Sequence, residues 1–263
     1  MSLRSVHDRD ELAALLRRDP ALHAYELGDL DDEFWPQTTW YRHGDAVALL
    51  YHGTSLPTLI ALDPPTRLPE LTALIVAAVP LLPARFHAHL STGAETGLVA
   101  GYDLHQVSGH LKMSLTDPGL LPPEPADGDV LGAADLPELL EFYDAAYPQH
   151  WFEPGMLAKG PYLGIRRDGE LVAVCGAHVW SPAYGVAAIG NVAVRPDVRG
   201  QGLGRTVVGQ WCRLAAARVE RIGLNVRADN VAAVALYRRL GFSVVGEYVE
   251  LLATSRPAPA TRP

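Results

Sequence analysis

The stretch Asn191–Val208, NVAVRPDVRGQGLGRTVV, decides how this chain is read. An apolar strand closes at Arg195-Pro196 and a short turn follows. Arg199-Gly200-Gln201-Gly202-Leu203-Gly204 then opens a helix whose Val207, Val208, Trp211, Leu214 and Ala215 recur at helical spacing. Glycines at 200, 202 and 204 leave consecutive backbone N–H groups unobstructed, and a helix N-terminus adds the positive end of a dipole. Such a loop is shaped to hold a pyrophosphate, with each charge-assisted N–H bond worth about 1.5–3 kcal/mol. Arg199 and Arg205 can supplement the charge. Two other nucleotide loops fit less well: a Rossmann turn sets G-x-G-x-x-G directly after its strand, and a Walker A loop requires Gly-Lys-Ser/Thr, which is absent. Taken alone, the loop also reads as a glycine-rich surface turn before an ordinary helix.

Outward from the loop, alternation and turn chemistry lay out the second half of the chain. Leu136–Ala146 is helical by periodicity, and strands 162–166 and 171–179 flank Arg167-Asp168-Gly169-Glu170, a strong hairpin signal. A second turn at Ser181–Gly185 leads to strand 186–194. After the loop helix come strand 222–226, a helix over 231–240 and a last strand over 242–251.

Upstream, LTDPGLLPPEPADGD (115–129) carries Pro118, Pro122, Pro123 and Pro125, a run that neither helix nor central strand tolerates. It reads as a linker. The first half shows a helix near 9–18, β-like runs at 38–45, 46–53 and 58–62, an apolar helix over 69–79 and a strand at 85–90. It has no glycine-rich phosphate loop.

Two motifs at a fixed separation carry a resemblance. Val194, Pro196, Arg199, Gly200, Gly202 and Gly204 are followed by Asn230, Ala233, Leu236, Tyr237, Gly241 and Phe242, in the pattern V-x-P-x-x-R-G-x-G-x-G … N-x-x-A-x-x-L-Y-x-x-x-G-F. Over about residues 130–252 the chain resembles the GNAT acyl-CoA-dependent N-acetyltransferases, and looks closest to their FR47-like subgroup. The resemblance implies a mixed α/β (α+β) GNAT acyl-CoA N-acyltransferase fold, in tandem with a degenerate N-terminal copy. The implied division is 1–116 companion or degenerate domain, 117–129 linker, 130–254 catalytic domain and 255–263 disordered tail.

It further implies that acetyl-CoA is the acyl donor, with no metal. Its pyrophosphate would lie on Arg199, Gly200, Gln201, Gly202, Leu203, Gly204 and Arg205. Its pantetheine arm would pair with Val192, Ala193 and Val194 as an added strand. Asn230 would bond the pantetheine or cap the next helix. Tyr237 would protonate the departing thiolate, against the plainer reading of a core aromatic.

The resemblance leaves a general base to be found. Glu153, His178 and Glu250 are the candidates; His178 also reads as a satisfied core histidine and Glu250 as a solvent-facing strand residue. Trp151, Phe152, Tyr162 and Trp180 read as core or as walls of an acceptor pocket. HAYELGDLDDEFWP (23–36), with Asp29, Asp31, Asp32 and Glu33, reads as a solvated acidic loop.

Composition bounds the rest. The 263 residues favour two domains at about 150 residues each. At 48% hydrophobic and 20% charged the chain can bury a core. A net charge of −8 argues against a phosphate backbone as partner. Cys175 and Cys212 are too few for a disulfide framework or a structural zinc, and read as buried thiols. The N-terminus has no apolar signal region, and the apolar run 71–84 is broken by Pro80 and Pro83, well short of the roughly 20 residues of a membrane span. The expectation is a cytoplasmic acetyltransferase for a small-molecule or peptide amine, with no nucleic acid or membrane partner. A homodimer stays open. The competing class is a non-catalytic acyl-CoA-binding module for regulation or assembly, which would share the whole loop.

Overall fold

The computed structural model describes residues 2–123, 128–148, 150 and 152–256. In chain order the elements are β1 (Arg4–Val6), α1 (Arg9–Leu16), α2 (Ala24–Gly28), β2 (Thr38–His43), β3 (Ala46–Tyr51), β4 (Thr58–Ala61), α3 (Leu68–Ala78), β5 (Arg85–Ser91) and β6 (Tyr102–Leu115). There follow β7 (Gly128–Leu131), α4 (Leu136–Ala146), α5 (Met156–Lys159), β8 (Tyr162–Arg167), β9 (Glu170–Ser181), β10 (Val186–Val194), α6 (Leu203–Ala216), β11 (Arg221–Arg227), α7 (Val231–Arg239) and β12 (Phe242–Ser255). The fold is mixed α/β. No helix of the described residues is long and apolar enough to cross a membrane.

The chain forms two compact units. The first is Met1–Lys112 with Arg227–Asp229 and Val245–Pro263; the second is Met113–Val226 with Asn230–Val244. These limits depart from a simple cut at a linker, because two 14-residue strands each serve both units. β6 passes from the first unit to the second after Lys112, and β12 passes back at Val245.

In the first unit the strand order is β1-β2-β3-β4-β5-β12-β6. Pairing is antiparallel from β1 to β4, parallel between β4 and β5, and antiparallel between β5 and β12 (Ser91↔Tyr248 to Arg85↔Thr254). Alternation sends Phe86, Ala88, Leu90, Val249, Leu251 and Ala253 to one face, where Leu71, Leu74 and Ile75 of α3 close the core. On the other face Lys112 is buried as a cation. Its Nζ donates to Glu26 (3.1 Å) and to the Leu22 carbonyl (2.8 Å), and lies 4.6 Å from the centre of the Tyr25 ring.

The 23–36 stretch is therefore not uniformly a solvated acidic loop. Glu26 is buried on α2, and although burial pushes its carboxyl up, Lys112 and His23 hold it down at about 2. Burial and the Glu26 charge push Asp29 up to about 8.

The second unit runs β7-β8-β9-β10-β11, with the last residues of β6 beside β11. All pairs from β7 to β10 are antiparallel and β10/β11 is parallel. The β8–β9 turn has Asp168 and Gly169 both at positive φ, the primed hairpin turn that the Asp-Gly pair signals. α6 buries Val207, Val208, Trp211, Cys212 and Ala215, each large side chain worth about 1.5–3 kcal/mol of transfer. Leu139, Phe142 and Tyr143 of α4 pack with Phe152, Tyr162 and Val174.

Both units follow one element order: strand, two helices, three strands, helix, strand, a short helical segment, strand. In each, a parallel pair joins the strand before the long helix to the strand after it. Two expectations need correction. Gly128–Leu131, whose first two residues were placed in the linker, is an edge strand, and residues 102–115 form the long β6 that periodicity did not pick out. Residues 124–127 of the linker and 257–263 of the tail lie outside the described residues.

Candidate functional site

The site lies wholly in the second unit, where two parallel strands part. β10 pairs with β11 from Val186↔Arg221 to Ile189↔Leu224, and β10 continues to Val194 without that partner. On its other side β10 carries an extra residue against β9, since Gly190↔Gly176 is followed by Ala193↔Val174. That bulge holds Asn191 at φ +53°, an uncommon value for a non-glycine residue.

Three side chains hold it there. The Tyr143 hydroxyl donates to the Asn191 carbonyl (2.6 Å), Asn191 Nδ2 donates to the Tyr162 hydroxyl (3.0 Å), and the same amide reaches Met156 Sδ (3.5 Å). Burial drives the Tyr143 phenol well up and the Tyr162 phenol to about 12, so both stay neutral donors. Tyr162 fits only because Gly176 faces it across the strands, where a Cβ would overlap the ring. The bulge lies between Gly190 and Ala193, after which Ala193 and Val194 pair again with Val174 and Ala173 of β9, and of Val192–Val194 only Ala193 is buried.

After β10 the chain makes a 3₁₀ turn at Pro196–Val198 and enters α6 through Gly200 (φ +79°) and Gly202 (φ +83°). Gly202 is the N-cap, with no side chain capping the helix and no acidic residue in its first turn. The first helical bond is Thr206 N–H to the Gly202 carbonyl (3.0 Å). Among the described residues no acceptor meets the N–H groups of Gly200, Gln201 and Gly202, and those of Leu203, Gly204 and Arg205 are the open end of a helix. Arg205 is exposed and forms no ion pair among the described residues. The loop thus offers donors and positive potential, the chemistry a pyrophosphate requires.

Arg199 serves the loop differently from a free cation. Its guanidinium donates to the Val194 carbonyl (3.1 Å) and to the Ala146 carbonyl at the end of α4 (3.0 Å), tying the strand end and a helix C-terminus to the turn. Gln201 is exposed and accepts from Arg167 (2.5 Å). A Cβ on Gly204 would stand 3.5 Å from Leu236 Cδ2 and 3.6 Å from Val194 Cγ2, so α6, β10 and α7 meet at this glycine.

Leu236 precedes Tyr237, which is buried edge-on to Phe242 (5.8 Å). Burial, with the neighbouring Cys175, Cys212 and Tyr147, raises its pKa above the ordinary phenol value. Its hydroxyl makes no hydrogen bond to another described residue, which leaves a protonated phenol without a protein partner. Asn230 caps α7, its Oδ1 accepting from Ala233 N–H (3.1 Å).

The base candidates separate. Glu153 is exposed ahead of α5. His178 is exposed on an outward bulge of β9, because Ala188↔Val179 is followed by Ile189↔Ala177; it is not the core histidine that an apolar strand suggests. Glu250 belongs to the first unit and is hydrogen-bonded rather than simply solvent-facing. Phe152 is core, stacked on Tyr143 at 5.0 Å, while Trp180 is half-buried edge-on to Trp211 at 6.3 Å. Trp151 lies outside the described residues. Cys175 and Cys212 are both buried free thiols, pushed up by burial. No group of three or more His, Cys, Asp or Glu among the described residues is placed to hold a metal.

Tyr143 and Asn191 were not singled out as functional from sequence. The available signal was one asparagine inside an otherwise apolar strand, VAAIGNVAV.

A model described as the Acetyltransferase (GNAT) family matches residues 132–242. A putative [ribosomal protein bS18]-alanine N-acetyltransferase of Bacillus subtilis is 30% identical over 119 residues, covering 43% of this chain and 77% of that protein. The chain belongs to the GNAT acetyltransferase family. A mycothiol acetyltransferase of Streptomyces avermitilis is 31% identical over 198 residues, covering 65% of this chain and 61% of the relative. The alignment to the Tsukamurella paurometabola mycothiol acetyltransferase spans 46% of that relative's length. A tandem GNAT protein from the clavulanic acid biosynthesis pathway superposes with a TM-score of 0.58 at 16% identity, covering 98% of this chain and all of that one, a likeness of fold.

Proposed function

We infer that the chain moves an acetyl group from acetyl-CoA to a primary amine by direct attack within a ternary complex. The observation that carries this is the run of unpaired N–H groups from Gly200 to Arg205 at a helix start free of acidic side chains. In this reading the pyrophosphate lies on that run, and the pantetheine amides pair with Val192–Val194 where β11 has left β10. A backbone N–H near Val194 polarises the thioester carbonyl. Tyr237, kept protonated by burial, gives its proton to the departing thiolate. Holding amine and thioester in line supplies about 7–11 kcal/mol. The amine must lose a proton before attack, and Glu153 and His178 are two exposed candidate bases of this unit, alongside water.

The first unit reads as a degenerate copy, and the chain as an FR47-like member. The counterpart of the loop, after β4, is Asp63-Pro64-Pro65-Thr66-Arg67, with no glycine and with Asp63 buried against the Arg67 guanidinium. A buried carboxylate there repels phosphate. One acetyl-CoA per chain follows, and calorimetric titration giving two equivalent sites would overturn it.

The relatives' names supply two acceptor classes to try, a small molecule and a protein N-terminal alanine. Thiol release measured with a panel of small amines and N-terminal alanine peptides tests the reaction. Saturable acetyl-CoA binding with no acceptor-dependent thiol release would favour the non-catalytic module instead.

A further inference from the structure

Just past β4 in the first unit stands a buried carboxylate whose hydrogen bonding is half complete. Asp63 N–H donates to Ser91 Oγ (2.9 Å), and that hydroxyl donates back to the Asp63 carbonyl (2.9 Å), so the residue is fixed through its backbone. Its side chain is 1% exposed. Arg67 directs both Nε (3.0 Å) and Nη2 at Oδ1 alone. Oδ2 is buried and has no hydrogen-bonding partner among the described residues, an arrangement that buried polar groups ordinarily avoid. Burial pushes this carboxyl up against the opposing pull of Arg67.

Asp63 also forms part of the wall of two hollows, which share Leu15, His23 and Arg67 as well. The smaller, about 10 Å³, has room for one water-sized group. The larger is about 230 Å³, below the roughly 300–1,000 Å³ of sites for drug-sized ligands, and Leu15 and Pro64 supply its apolar wall. Across both hollows three carboxylates face two guanidinium groups. Arg18 is paired with Asp45 (2.6 Å) and Arg67 with Asp63, while the Asp19 carboxylate accepts from the Leu22 N–H (3.2 Å) and has no cationic partner among the described residues.

Chemistry narrows what can complete Asp63. A phosphate meets the carboxylate as a like charge. A metal ion needs several ligands, and no group of three or more His, Cys, Asp or Glu among the described residues is placed to hold one. A guanidinium is a planar fork that matches two adjacent oxygens, and Arg67 already covers Oδ1. An ammonium is compact, with three donors and no acceptor, and is the size of the smaller hollow.

We propose that these hollows bind a short primary alkylammonium ion, its head donating to Asp63 Oδ2 and its chain lying against Leu15 and Pro64. Oδ2 is covered, so the head enters as Arg67, 31% exposed and bonded to Oδ1 only, shifts aside. In the place where a phosphate loop would stand, the first unit thus takes a cation. The site is built from the first unit alone and stands apart from the reaction proposed for the second.

The test titrates the full ¹⁵N-labelled chain, without acetyl-CoA and near neutral pH, with propylammonium chloride. Tetramethylammonium chloride, which has no N–H, and sodium propionate are the controls. Saturable amide shifts at Leu15, His23, Asp63 and Arg67 with propylammonium alone are expected. Asp63→Asn keeps the shape and removes the charge, and should weaken binding about tenfold or more. Water alone in the hollows predicts no saturable shift, and that result would overturn the proposal. So would shifts confined to the second unit, an equal response to either control, or undiminished binding by a folded Asp63→Asn. The wild-type titration with its controls decides the matter even if Asp63→Asn does not fold.

Discussion

Replacing Tyr237 by phenylalanine removes one oxygen, and the structure says what that oxygen does for folding. The ring is buried edge-on to Phe242, a contact that phenylalanine keeps. The hydroxyl has no partner among the described residues, so its loss orphans no buried donor or acceptor. The change in stability is then expected within about 0.5 kcal/mol, whereas Tyr237→Ala empties the site and costs about 3–5 kcal/mol.

The catalytic effect should be much larger. General acid catalysis supplies about 10²–10⁴ in rate, so the phenylalanine variant loses about 2.7–5.4 kcal/mol of transition-state stabilisation. On the proposed reading, in which the loop backbone holds acetyl-CoA, its affinity should be unchanged. The assays are calorimetric titration with acetyl-CoA, thermal unfolding, and thiol release under saturating amine. Wild-type turnover in Tyr237→Phe would remove Tyr237 as the acid. Lost acetyl-CoA binding would show that the phenol holds the cosubstrate instead.

Further outcomes follow from particular residues. Gly202→Ala meets no atom within 4 Å, so its cost is the left-handed backbone alone, about 1–2 kcal/mol, seen as a lower Tm and weaker acetyl-CoA binding. An unchanged Tm would refute the strain. Residues 1–116 expressed alone lack β12, the strand between β5 and β6 in the first unit, and should show no cooperative unfolding transition until a peptide spanning 242–256 is added. Glu26 is held near 2 in the folded chain against an ordinary 4.5, so its stabilisation is complete above about pH 4.5 and fades as pH falls towards 2. Glu26→Gln should accordingly lose stability at pH 7 and little at pH 2, by urea unfolding.

Legibility in the sequence followed the range of the contacts that decide each element. α1, α3, α4, α6 and α7 are amphipathic helices whose faces repeat locally, and the Asp168-Gly169 hairpin is set by two adjacent residues. β6 was hidden because YDLHQVSGHLKMSL lacks clean alternation, and its pairing comes from strands far away in sequence. The acceptors of the Arg199 guanidinium were hidden for a similar reason. A guanidinium beside a phosphate loop reads as a phosphate ligand, and only folding brings the Ala146 carbonyl, 53 residues away, within 3.0 Å. His178 looked like core because its neighbours are apolar; a single extra residue in β9 turned it outward.

The sequence by itself determined the loop. Three glycines, a helix start without acidic residues, and the Asn230–Phe242 pattern are local features whose conformations need few distant partners. Tertiary structure alone decided where β10 leaves β11, how Tyr143 and Tyr162 hold Asn191 in its strained bulge, and which strand completes each unit. The physical reason is range. A glycine turn or an amphipathic helix is specified by residues a few positions apart, while strand pairing and buried polar bonds are specified by whatever the fold brings alongside.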